Sequence, residues 1–152
     1  MAWKSATEYA ITYLSRYPKT EQEMTILLYT KGYSTEEIEH TMDVLKENNF
    51  INDEKFAESY LYSEVIKRGK PVFLSRKKLE QRGIDPTIIE KFIEENEDDI
   101  REWIEKAIEK EIDAYKKKGV EGFDIIQKIL RKGYRLQDIK TVIRRRAEED
   151  YA

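Results

Sequence analysis

The chain has 152 residues, 39% of them hydrophobic and 39% charged, with a formal net charge of −3, six glycines, three prolines and no cysteine. That balance is too apolar for a disordered chain and too poor in turn formers for an all-β protein, so a helix-rich protein is expected. Without cysteine there are no disulfides and no thiolate chemistry, which fits a reducing cytoplasm. No run approaches the roughly 20 apolar residues that span a bilayer, and the N-terminal residues lack the basic-then-apolar layout of a signal peptide.

In chain order, residues 4–16 carry apolar positions at Ala6, Tyr9, Ala10, Tyr13 and Leu14, a helical stripe that Pro18 breaks. Thr20 and Glu23 form a capping box opening a helix that buries Met24, Leu27 and Leu28 and stops at Gly32. Ser34 and Glu37 cap the next helix, with Ile38, Met42 and Leu45 inward. Asn52-Asp53-Glu54 starts a helix with Phe56, Ala57, Tyr60 and Leu61 on its apolar face, and Gly69-Lys70-Pro71 interrupts it. A helix through Leu79 ends at Gly83, and Asp85-Pro86 restarts the chain as N-cap and first helical residue, with Ile88, Ile89, Phe92 and Ile93 inward. Ile100 to Tyr115 mark one long helix over about 97–118, supported outside by Glu102/Lys106 and Asp113/Lys117. Helices over about 123–132 and 136–149 complete the chain.

Three of these segments repeat one pattern. Leu28, Leu79 and Ile129 stand four before Gly32, Gly83 and Gly133; Lys31, Arg82 and Lys132 directly precede the glycine; Tyr33, Ile84 and Tyr134 directly follow it. Ile38, Ile89 and Ile139 come six later, and Met42, Ile93 and Ile143 ten later. A period near fifty residues indicates a tandem array. The expected fold is all-α, an elongated, curved array of three tandem three-helix repeats over 1–51, 52–96 and 97–152.

Catalysis finds little foothold. His40 is the only histidine and has no partner at a defined spacing, and there is no phosphate loop, metal motif or nucleophile elbow. No enzyme activity, metal or cofactor is expected. The basic residues are placed by the repeat. Lys78/Arg82 and Lys128/Lys132 are equivalent i,i+4 pairs, with Arg76, Arg131 and Arg135 beside them. Clustered cations suit phosphates or an acidic partner. The first repeat is nevertheless acidic, with five Lys/Arg against eight Asp/Glu over 1–51. Of the tyrosines, Tyr33 and Tyr134 share the position of Ile84 and are expected in the core, Tyr29 and Tyr62 outside it.

The segments Leu14–Met24 (LSRYPKTEQEM), Phe50–Tyr60 (FINDEKFAESY), Arg68–Pro71 with Leu79–Ile84, and Leu130–Tyr134 with Ile139 and Val142 resemble, in order and spacing, the motifs of the RecX family of RecA regulators. The resemblance covers nearly the whole chain. It implies a non-catalytic protein that binds the RecA–single-stranded DNA filament and lowers its ATPase, strand-exchange and co-protease activities; a cytoplasmic monomer is expected. With a pI near 5.5, the chain departs from the many basic relatives, and weak or no binding to bare DNA is expected. The family does not fix the contact residues; Arg76, Lys78, Arg82, Lys128, Arg131, Lys132 and Arg135 follow from the repeat. A stand-alone nucleic-acid-binding protein and a helical interaction scaffold are the alternative readings.

Overall fold

A computed structural model describes residues 4–150; Met1–Trp3, part of the stretch read for a leader, lie outside them. Among the described residues the secondary structure is entirely helical: α1 (Ala6–Leu14), α2 (Glu21–Thr30), α3 (Thr35–Glu47), α4 (Asp53–Leu61) continuing into a π-helical segment (Tyr62–Lys67), α5 (Val72–Gln81), α6 (Pro86–Glu95), α7 (Glu97–Lys117), α8 (Phe123–Arg131) and α9 (Leu136–Asp150). They fall into three successive three-helix repeats.

Local chemistry sets most of the helix starts. Thr20 Oγ1 accepts from the Glu23 N–H while the Glu23 carboxylate accepts from the Thr20 N–H, closing the capping box of α2. Ser5, Ser34 and Asn52 accept from the amides of Glu8, Glu37 and Lys55. Asp85 accepts from both the amide and the hydroxyl of Thr87, bonds that hold its carboxyl below the ordinary aspartate value. The π segment was not legible in the pattern. There the amide of Arg68 reaches back five residues to the Ser63 carbonyl, a wider turn than the α-helical one, at the end of the run before Gly69.

Contacts divide the chain into two compact units, residues 1–59 with 78–92 and residues 60–77 with 93–152. The first is built on a core of Ala6, Ala10, Met24, Leu28, Ile38, Met42, Leu45 and Ile51. The second is built on Ile108, Ile112, Ile125, Ile129, Tyr134, Ile139 and Val142. The repeated aliphatics Leu28, Leu79 and Ile129 are fully buried, as are Ile89 and Ile139. Ten residues past the glycine the pattern loosens: Met42 is buried, but Ile143 is 37% exposed and Val142 takes the core position instead. Two outer-face details also differ. Glu102 and Lys106 pair as expected, whereas Asp113 bonds Arg146 of α9 at 2.7 Å, an arginine that reaches it across the α7–α9 packing.

Candidate partner-binding surface

The basic residue before each repeated glycine has the same neighbour type. Lys31 stands 5.8 Å over the ring of Tyr9, the Arg82 guanidinium 4.5 Å over Phe56, and Lys132 5.3 Å over Tyr115. In every repeat, then, the cation closing the second helix is laid on an aromatic residue of the first. Arg82 is held further. Its Nε and NH2 donate to both oxygens of Glu23 at 2.9–3.2 Å, and its carbonyl accepts from the buried Thr20 hydroxyl at 2.6 Å. Burial raises the Glu23 carboxyl, but the Arg82 hydrogen bonds and the capping amide outweigh it and leave it below the ordinary glutamate value. Lys132 donates to Glu111, which raises the lysine above its usual value against the opposing effect of burial. Lys128 stands 5.9 Å from the same ring.

Two of the glycines, Gly83 and Gly133, mark where one helical turn sits on another. A methyl group on Gly83 would lie 2.6 Å from Gln22 Cβ at the start of α2. One on Gly133 would touch Pro71 and Leu74 at 3.5–3.6 Å, at the start of α5. The Tyr134 hydroxyl donates to the Gly69 carbonyl, and burial pushes its pKa up to about 12. The second unit thereby brings Gly133 against Pro71 and Leu74, and Tyr134 against Gly69.

Beside this contact the second unit holds an open cavity of about 350 Å³. Arg76, Arg101 and Arg135 line it together with Glu94, Glu97 and Asp138. Burial raises the Asp138 carboxyl, while Arg135 and Arg101 oppose that rise. Phe73 (61% exposed) also lines the cavity, and Leu74 and Leu136 are exposed nearby in sequence. Of the seven cations expected to contact a partner, Arg76 and Arg135 share this cavity, Lys128 and Lys132 share Tyr115, and Arg131 is exposed on the last turn of α8. Lys78, exposed, and Arg82 belong to the first unit. The sequence reading missed Arg101, whose place in the cavity depends on α7 packing, and the aromatic partners of the pre-glycine cations. His40 is exposed on α3. Among the described residues no group of His, Cys, Asp or Glu is placed to hold a metal ion, and no helix is long and apolar enough to cross a membrane.

Three successive three-helix units, each with a basic–glycine turn packed on an aromatic, define a tandem helical-repeat protein. Residues 6–45 match the family model described as RecX, first three-helix domain. The Regulatory protein RecX of Haemophilus influenzae (strain PittEE) is 32% identical over 111 residues, 72% of this chain and 72% of that protein. The chain belongs to the RecX family. The Regulatory protein RecX of Streptococcus sanguinis (strain SK36) is 33% identical over 87% of this chain but 52% of its own length; the chain spans about half the length of such longer relatives. The crystal structure of RecX from Lactobacillus salivarius superposes with a TM-score of 0.76 at 25% identity, covering 92% of this chain and 93% of that one.

Proposed function

We propose that this protein binds the RecA–single-stranded DNA filament and lowers its ATPase, strand-exchange and co-protease activities, acting as a monomer in the cytoplasm without catalysis of its own. Membership of the RecX family, over 72% of both chains in the Haemophilus relative, carries the reading. The surface supports it: Arg76, Lys78, Lys128, Arg131 and Arg135 offer cations to acidic protein and phosphate, and Phe73 stands exposed beside two of them. Arg82 and Lys132 complete the seven contact candidates, each reaching a partner from a side chain already anchored to an internal carboxylate. The repeats 1–51, 52–96 and 97–152 are the units along which contact is made. A net charge of −3 supplies little bulk attraction for DNA, so binding to bare DNA is weak.

The test is the RecA ATPase on single-stranded DNA with increasing amounts of the protein. Inhibition that saturates, and weakens on Lys128→Ala with Arg131→Ala and Arg135→Ala, is the expected result. An unaffected ATPase together with strong, salt-dependent binding to bare DNA would point to a stand-alone nucleic-acid-binding protein instead.

A further inference from the structure

The first repeat carries a feature that the others lack, a continuous row of tyrosines. Tyr17 and Tyr13 have ring centroids 5.3 Å apart, Tyr13 and Tyr9 6.2 Å, and Tyr9 and Tyr33 6.1 Å. The row runs along α1, and the Tyr33 hydroxyl ends it on the Lys4 carbonyl at 2.9 Å. Tyr9, Tyr13 and Tyr33 are partly buried against the core of the unit, while Tyr17 is 56% exposed. Thr7, on another side of the same helix, is hydrogen-bonded to Thr41 of α3 at 3.0 Å, so the tyrosine row is distinct from the α3-facing side.

Charge is sorted in the same way. Residues 1–51 are acidic, yet two of their five cations, Lys19 and Lys31, stand over rings of this row, and two more, Lys4 and Arg16, lie within two residues of the ends of α1. Lys19 stands 5.9 Å over Tyr13 and Lys31 5.8 Å over Tyr9; Arg16 sits in the turn between Tyr13 and Tyr17, and Lys4 meets Tyr33 through its carbonyl. The fifth, Lys46, is paired with Glu21 at 3.5 Å. Of the eight acids, five lie on α3, Glu21 faces Lys46 and Glu23 holds Arg82, leaving Glu8 as the one acid of α1. Lys31 over Tyr9 recurs as a structural pair in the other repeats. The part special to this repeat is therefore Tyr13, Tyr17, Lys19 and Arg16.

We infer that the exposed end of this row, Tyr17 beside Tyr13 with Arg16 and Lys19, is a stacking surface for unpaired bases of single-stranded nucleic acid, with the two cations on its phosphates. Aromatic rings give a sequence-tolerant platform for bases, and cations at the ring edges track the backbone. The ring spacing exceeds the roughly 3.4 Å per nucleotide of one strand in duplex DNA, which suits bases already drawn apart. Ammonium groups near the outer limit of cation–π range, about 6 Å, are readily drawn from the ring to a phosphate. The inference rests on the filament reading for its setting, where it names how the single strand is held.

The test uses the full chain and a dT oligonucleotide carrying 2-aminopurine, whose fluorescence falls on aromatic stacking, at low ionic strength and without RecA. Wild-type protein is expected to quench the probe, and a duplex of equal length to bind more weakly. Tyr17→Ala combined with Arg16→Gln and Lys19→Gln raises Kd by about fivefold or more, with the helical circular dichroism unchanged. Tyr17→Phe keeps the affinity, since the ring and not the hydroxyl stacks. The two charge changes lower the salt dependence, which Tyr17→Ala alone leaves intact. Absence of quenching, wild-type affinity in the triple variant, or displacement of the probe by polyglutamate overturns the inference. If it fails while wild-type protein still inhibits the RecA ATPase, the filament reading stands and only the stacking surface falls.

Discussion

At Gly83 and Gly32 the same repeat position meets two environments. Both have φ near +90°, where an L side chain is strained by about 1–2 kcal/mol. Gly32 has nothing within 4 Å of an added methyl, whereas Gly83 abuts Gln22. Gly32→Ala is therefore expected to cost about 1–2 kcal/mol, and Gly83→Ala a further 1–3 kcal/mol for overpacking, read by urea unfolding of the two variants side by side. Glu23 gives a prediction in pH. Its carboxyl is depressed in the folded chain from the 4.5 of the free group, so its contribution to stability is complete above that value and disappears as pH falls through the lowered one. The stability gap between wild type and Glu23→Gln should be widest near neutral pH and close in acid; a gap that widens below pH 4 contradicts the assignment. The recurrence of Lys31, Arg82 and Lys132 was legible in the sequence. Their rings were not, because Tyr9, Phe56 and Tyr115 stand 23, 27 and 18 residues before the glycine, and only a constant spacing makes a repeat visible.

Elements were read well where local chemistry sets them. Capping at Thr20, Ser34, Asn52 and Asp85 gave the starts of four helices to within a residue or two. The π segment at Tyr62–Lys67 escaped because its sequence continues the helical stripe through Leu61 and Val65, both buried. Likewise, Asp113 was matched to the lysine on its own helix, but Arg146 comes from α9, which no pattern within α7 reveals. The equivalence of α6 and α9 makes its own prediction. Ile89 and Ile139 are both fully buried, and each change to Ala should cost about 2–5 kcal/mol, measured by thermal or denaturant unfolding. Lys70, 43% exposed and paired with Glu64 at 3.2 Å, should tolerate Ala at about 0–1 kcal/mol. A near-neutral Ile89→Ala would mean that α6 does not hold its unit together.

For the molecule as a whole, the proposed surface separates binding from folding. Lys78, Lys128 and Arg131 are exposed, and their joint change to Ala should leave stability within about 1 kcal/mol while weakening filament binding and its salt dependence. Arg82→Ala should behave differently, losing about 1–3 kcal/mol with its charge-assisted hydrogen bonds to Glu23. If the exposed triple variant still inhibits the RecA ATPase at the wild-type concentration, the contact lies elsewhere. The sequence placed Lys78 on α5 and Lys128 and Arg131 on α8, where the structure has them. It could not sort anchored from free ones, because that depends on carboxylates 59 and 21 residues away.

The hydrogen bond from Thr20 to the carbonyl of Arg82 spans 62 residues, and it ties the first repeat to a stretch of the same unit that leaves the ribosome much later. Residues 1–51 emerge with their own apolar core but with the Glu23 carboxylate and the Thr20 hydroxyl still lacking Arg82. Translation adds about 5–20 residues per second, so the nascent unit waits some seconds before residues 78–92 arrive to finish it. A truncated chain ending at residue 92 should accordingly resist protease far better than one ending at residue 51, and stalled nascent chains of the two lengths should differ in the same way. Completion of the first unit is thus timed by synthesis of the second repeat.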